Sequence, residues 1–315
     1  MLRSLLLLVL LAACRPAAAP PEVTPPPEER PADGDARSVA PLRWSWGPAG
    51  SVGVSYTIDR DGDLLRGQAT MTWAPDGGGQ TVVGSRDASF DREDLSERWR
   101  EQLWLLDALV GFDVPIIVDA KGFATGAADV SPMLEAAAAA MDDLDPKKLA
   151  AMRAMATGEH MKASLTALAM DDWRLAVEDW IGLALSEGGS LSRVVEGATT
   201  SGAMVTSAVV YEHLGTDPAH PGSIHLRKTT TPTDESSTGA AAASVQELVA
   251  SYGITPEQAA AWTAGLRTEA QTVAEAVLDP TTLKPWWTRR TKSVAVHGGP
   301  EPLVSRRVTE THYAW

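Results

Sequence analysis

The feature that most constrains this chain is a two-residue hydrophobic period repeated on either side of a tight turn. Val52, Val54, Tyr56 and Ile58 alternate with Gly53, Ser55 and Thr57. After Asp59-Arg60-Asp61-Gly62-Asp63, Leu65, Gly67, Ala69, Met71 and Trp73 alternate with Arg66, Gln68, Thr70 and Thr72. Side chains along a strand point to opposite faces in turn, so the pattern predicts a half-buried β-hairpin with Asp61-Gly62 at its tip. Asp76-Gly77-Gly78-Gly79 predicts the next turn and a third antiparallel strand over 81–90. Further strands are predicted over 114–118 and from Phe123 onward, around an Asp119-Ala120-Lys121-Gly122 turn, and over 192–196, 203–214 and 223–231. Two last strands, 286–296 and 303–313, are joined at Gly298-Gly299-Pro300.

Between these runs the period changes. Leu95, Trp99, Leu103, Leu106 and Val110 share one helical stripe, with Gly111 placed as a C-terminal cap. Ser131-Pro132 and Asp145-Pro146 each set a capping residue before a proline, and predict a mostly helical 130–180. Ser244 with Glu247 and Thr255 with Gln258 have capping-box spacing. They open two helices, the second lined by Ala259, Trp262, Leu266, Val273 and Val277. Sheet at both ends with helices between predicts an α+β fold: a curved antiparallel sheet built from strands at both ends of the chain, with helical insertions packed on one face.

The N-terminus is different in kind. Arg3 precedes an apolar run, Leu5 to Leu11, which ends in Leu11-Ala12-Ala13-Cys14. This reads as a signal peptide over 1–13, too short to span a bilayer. Leu-Ala-Ala-Cys resembles the bacterial lipobox, whose cysteine receives diacylglycerol and then a further acyl chain, commonly palmitate. Cys14 is the chain's only cysteine, so the expected site of lipidation is also its only thiol, and the fold must stand without disulfides. Residues 14–40 are proline-rich and acidic, with few large apolar side chains, and predict a disordered tether reaching about 80 Å at polyproline pitch. A single domain is then expected over 41–315. Arg15, and not Asp, follows the cysteine, so by resemblance the outer membrane is the expected location, with the membrane held through the N-terminal lipid.

A formal net charge of −14 argues against nucleic acid as a partner, because phosphate binding needs clustered Lys and Arg. The motif search is mostly negative. Asp59 to Asp63 begins like a calcium loop, but the twelfth position is Thr70 and not a bidentate acid. No Gly-x-Ser-x-Gly, phosphate loop or dinucleotide fingerprint occurs. No catalytic residue and no cofactor is therefore assigned, and an enzyme is retained only as a hydrolase without a recognisable motif. His213, His220 and His225 are weak metal candidates: they cluster in sequence but lack the spacing of a zinc site. Trp286, Trp287, Arg289, Arg290 and Lys292, with Arg306 and Arg307 on the next strand, form the one local aromatic and basic patch, a candidate contact for an anionic surface.

Lipobox, proline-rich tether, alternating first strands, the Asp119-x-Lys121-Gly122 turn, a helical middle and Leu283-Lys284-Pro285-Trp286 before the last strands together resemble uncharacterised bacterial lipoproteins carrying a domain of unknown function. The predicted architecture is similar to the periplasmic lipoprotein carriers, whose half-barrel holds acyl chains. The expectation is a non-catalytic envelope lipoprotein that binds a lipid, an acyl ligand or another hydrophobic envelope component. The alternative is a scaffolding lipoprotein with a protein partner. Replacing Cys14 by Ser should move the protein from the membrane pellet to the soluble fraction, as read by fractionation and immunoblotting. Retention in the pellet would refute lipidation at this residue.

Overall fold

The computed structural model describes residues 16–17, 39–93, 95–100, 115–129, 131–132, 166, 170–199, 204–240, 265, 267–297 and 302–315. These residues form one antiparallel sheet of twelve strands: β1 (Pro16–Ala17), β2 (Gly50–Arg60), β3 (Asp63–Pro75), β4 (Thr81–Phe90), β5 (Ile116–Val118), β6 (Ala124–Ala127), β7 (Ser190–Thr199), β8 (Met204–Gly215), β9 (Ile224–Pro232), β10 (Arg267–Leu278), β11 (Pro285–His297) and β12 (Leu303–Ala314). Their spatial order is β1-β7-β8-β9-β10-β11-β12-β2-β3-β4-β5-β6. Two meanders are thus joined where the last strand pairs with the first long one, Tyr313 opposite Val54 and Thr309 opposite Ile58.

The α+β expectation is corrected. Of the described residues 57% are strand and 12% helical, so the fold is nearly all β. Among the described residues helix occurs at Glu97–Arg100, 131–132, 166, 170–176 and 234–240, with a 3-10 turn at Glu178–Trp180. The expected helices at 101–114, 133–165 and 244–264 lie outside the described residues. One error is definite, because Arg267–Leu278, expected to finish a helix, is a central strand paired on both sides. Val273 and Val277 are four apart, a spacing that fits one face of a helix and one face of a strand equally well. Hydrogen-bonded neighbours on both flanks decide between the two, overriding the helix propensity of the Ala and Glu residues.

Local chemistry accounts for the turns. Asp61 (φ 56°) and Gly62 (φ 93°) both adopt positive φ, as a two-residue turn matching strand twist requires. Asp59 Oδ1 accepts from Gly62 N at 2.8 Å, and Asp61 accepts from Ser305 Oγ and Arg306 N on β12. The Asp59 to Asp63 run is therefore a turn that also fastens its neighbour strand. At the other end of the molecule, Asp119 Oδ1 accepts from Lys121 N and Phe123 N at 2.8 and 2.9 Å. Gly122 there has φ 99°.

The two faces of the sheet differ. Val52, Trp73, Val83, Tyr211, Leu226, Ala276 and Tyr313 lie on the inner face and are buried. At the rim near Gly50 and Trp315 that face is closed by the segment 42–46 and by residues 170–185. Trp44, Trp46, Trp73, Trp173 and Trp315 meet there with ring centroids 5.1 to 6.0 Å apart, mostly edge to face. Trp173 Nε1 donates to Gly122 O at 2.9 Å, and Trp180 Nε1 to Leu175 O at 2.7 Å. Toward the opposite rim a smaller cluster packs Leu95 and Trp99 on Leu65, with Trp99 Nε1 donating to Asp63 O.

A Cβ on Gly122 would stand 2.8 Å from Trp44 Cβ and from Ile181 Cδ1, at a positive φ. Gly122→Ala should therefore cost about 1–3 kcal/mol. Trp173→Ala, which empties the centre of the cluster, should cost about 3–5 kcal/mol. Urea denaturation followed by circular dichroism checks both, with the larger loss expected at Trp173.

Candidate functional site: the inner face of the sheet

Strand alternation places a second set of side chains on the inner face, level with the smaller apolar cluster and one row beyond it. In register across the strands lie Tyr211, Lys228, Ala274, Arg290 and Thr309. The next row contains Thr230, Thr272, Lys292, Arg307 and Arg60. The centre of this face is thus rich in threonine and cations where a sealed core would be aliphatic.

Two of these cations hold the covering segment in place. Arg290 donates to Asp171 Oδ2 at 2.7 Å and to the Asp171 carbonyl at 2.6 Å. Lys228 donates to Asp179 Oδ1 at 2.6 Å. Burial by itself pulls the Lys228 ammonium down, but the Asp179 carboxylate outweighs it and holds the group above its ordinary value. Arg193 and Lys228 both stand over the Tyr211 ring, at 4.8 and 5.7 Å from its centroid. Arg60, Arg307 and Lys292 are direct neighbours on three adjacent strands. Like charges placed opposite one another need compensating negative charge, and none of the three stands without a partner.

Neutral polar groups complete the surface. Burial, with a smaller contribution from Asp172, pushes the Tyr56 hydroxyl up to about 12. Tyr313, fully buried and hydrogen-bonded with Thr288, is also raised, chiefly by burial. Both phenols are hydrogen-bond donors at neutral pH. Glu178 is raised as well, by burial, although Ala124 N donates to it and Arg174 lies 3.7 Å away.

The aromatic and basic run on β11 does not form one patch. Arg290 and Lys292 face inward, while Trp287 and Arg289 face outward, where Arg289 pairs with Glu310 at 3.1 Å. Trp286 stacks on His220 with ring centroids 5.0 Å apart. Trp287 meets His225 edge-on, and its Nε1 donates to Asp217 Oδ2 at 3.0 Å. The three histidines have different partners. Nδ1 of His213 lies 3.1 Å from Leu185 O, His220 contacts Asp217, and Nε2 of His225 lies 3.9 Å from Glu275. Burial holds His225 below its ordinary value. Among the described residues no group of three His, Cys, Asp or Glu side chains is arranged to hold a metal ion.

Sequence reading missed Lys228, Arg193 and Arg60 as members of one surface, but it did place Arg307 beside Lys292 on the next strand. The available signal was the alternation Leu226-x-Lys228-x-Thr230, which places a cation among inward positions. A shallow hollow of about 500 Å³, lined by Ser55, Gln68, Thr70 and His312 among others, opens on the outer face and not within this surface.

No family model matches this chain, and no curated protein matches it. Among solved structures, the complex of Pseudomonas aeruginosa MucA and MucB aligns over 84% of this chain and 88% of that one. The identity is 9% and the TM-score 0.13, too low a likeness to carry any argument.

The raised groups set an alkaline limit. Unfolded tyrosine ionises near 10, whereas folded Tyr56 does so only near 12. The stability that Tyr56 contributes is therefore present below pH 10 and lost as the pH rises from 10 to about 12. Tyr313 and Lys228 act in the same direction. Urea midpoints should fall steeply over that range, and more shallowly in Tyr56→Phe. Tyrosinate absorbance should show Tyr56 and Tyr313 ionising only as the fold opens.

Proposed function

We propose that this chain is a lipid-anchored, non-catalytic protein of the bacterial envelope, and that it binds an amphiphilic envelope component, a lipid or acyl compound with a polar end, against the inner face of its sheet. The observation that carries this reading is the graded inner face. Aromatic and aliphatic side chains crowd the face toward the Gly50–Trp315 rim, and Thr309 and Arg290, then Thr230, Thr272 and Lys292, follow along the same strands toward the other rim, level with and beyond the smaller Leu65 cluster. An acyl chain is matched by the apolar ends and a polar or anionic head by the centre, since buried donors need acceptors. The lipobox at Cys14 supports placement at a membrane, where such ligands are abundant.

Protein purified without detergent should carry lipid detectable by mass spectrometry, and should bind a fluorescent fatty acid that lysophospholipid displaces. Thr272→Trp, which fills the centre of the face, should abolish displacement. If the wild-type protein carries no lipid and binds no probe, the amphiphile reading fails. Reproducible cross-linking to one envelope protein would then favour a scaffolding role.

A further inference from the structure

We infer that one rim of the sheet, marked by Leu64, Met204, Leu303 and Val304, is the surface that this protein sets against the lipid bilayer. This inference rests on the lipid anchor at Cys14 and extends it from a point of attachment to a defined orientation.

The first observation is the position of β1. Pro16 pairs with Thr199 and Ala17 with Ala198, at the end of the edge strand β7. Cys14 precedes Pro16 by two residues, a link of at most about 7 Å. Acyl chains on Cys14 therefore leave the protein beside the end of β7. They do not start from the far end of a tether about 80 Å long.

The second observation is independent. Antiparallel registers fix which strand ends share that rim: Thr199 with Met204, Pro232 with Arg267, His297 with Leu303, and the Arg60 to Asp63 hairpin. Exposed large apolar side chains gather there, with Val304 65% exposed, Met204 63%, Leu303 40% and Leu64 36%. At the strand ends of the opposite rim, Leu214 alone among the described residues is of this kind. Its turns are built instead from polar residues and glycine, such as Asp76 to Gly79 and Asp217 to Gly222. Val194 and Val195, also exposed, lie on β7 itself, next to the strand that follows the anchor.

The spacing selects the occupant. Met204 on β8 and Leu303 on β12 are four strands apart, roughly 19 Å, and Leu64 on β3 lies about 10 Å further on. Apolar side chains on separate strand ends do not make a groove for a peptide or a continuous patch for a second copy. They do suit an extended planar interface into which each tip dips independently, below acyl chains already inserted there.

The test uses the full-length, acylated protein in vesicles of phosphatidylethanolamine and phosphatidylglycerol. Met204→Cys, Val304→Cys and Leu214→Cys are each labelled with an environment-sensitive fluorophore; acylated Cys14 cannot react. Lipids carrying a doxyl quencher should cause a loss of fluorescence at 204 and 304, and none at 214. If the protein floats with the vesicles but all three labels stay equally bright, the anchor stands and the rim assignment is overturned. If labels at 204 instead cross-link between copies without quenching, the rim is a protein interface, which also overturns the proposal. Failure to float would refute the anchor, and the rim assignment with it.

Discussion

The interaction on which this structure depends is the meeting of five indoles at one rim of the sheet. Trp46 touches Trp73, Trp173 and Trp315, and so joins the segment before β2, a strand of the first meander, the 170–176 helix and the last residue of the chain. These parts are far apart in sequence, so the complete cluster depends on both meanders being joined along β12 and β2. The remaining restraints converge on it. The Gly122 carbonyl accepts from Trp173, Lys284 Nζ lies 4.6 Å over Trp315, and the Trp315 indole donates to Pro285 O. Indoles suit this place because they bury a large apolar area and still offer one donor to a backbone acceptor. The Nε1 atoms of Trp44, Trp46 and Trp73 are buried with no acceptor among the described residues.

Much of the sheet was legible in the sequence because two-residue alternation and turn residues are local signals. The Asp61-Gly62 hairpin, the strand over 81–90, the Asp119 to Gly122 turn and the final pair of strands all lie where the pattern places them. Where periodicity was ambiguous, context decided. Val273 and Val277 read as one helical stripe, and the correct assignment depended on β9 and β11, which no window around residue 275 contains. The candidate site was less legible for the same reason. Trp286 to Lys292 is contiguous along the chain, but the pleat sends Arg290 and Arg289 to opposite faces, one to Asp171 and the other to Glu310. Conversely, Arg60, Arg307 and Lys292 share a row although more than two hundred residues separate the first from the others. A sequence pattern shows which residues alternate, and only the register shows which rows they complete.

The outer face shows how the sheet tolerates its own size. Glu212, Arg227, Glu275 and His225 form a connected set across β8, β9 and β10, with Arg227 Nη2 2.9 Å from Glu275 and Nη1 3.8 Å from Glu212. Alternating charge across neighbouring strands favours the native register, because a one-residue slip would turn each of these groups inward among Leu226, Lys228 and Ala274. The loop 216–223 then closes over Trp286 and Trp287, where Asp217, held below its ordinary value first by the Trp287 indole, ties the loop down. The histidines and tryptophans that looked like ligands in the sequence are used here to fix the position of a loop.

The inner face follows a different logic, and this bears on what it can bind. Arg290 and Lys228 reach from the sheet to Asp171 and Asp179 on the covering segment, at two points about two helical turns apart. Ion pairs this sheltered add little net stability over an apolar replacement, but removing one partner leaves a charge that the site cannot solvate. They therefore fix where the segment 171–180 sits more than how firmly it is held. That position leaves Thr309 in the row of Lys228 and Arg290, and Thr230 and Thr272 in the adjacent row with Lys292 and Arg307. A wholly apolar ligand set against Thr230, Thr272 and Thr309 would leave their hydroxyls without acceptors, at a cost of about 1–3 kcal/mol for each. A wholly polar ligand would gain nothing from the apolar ends. The energetic preference of such a surface is for a molecule with one end of each kind.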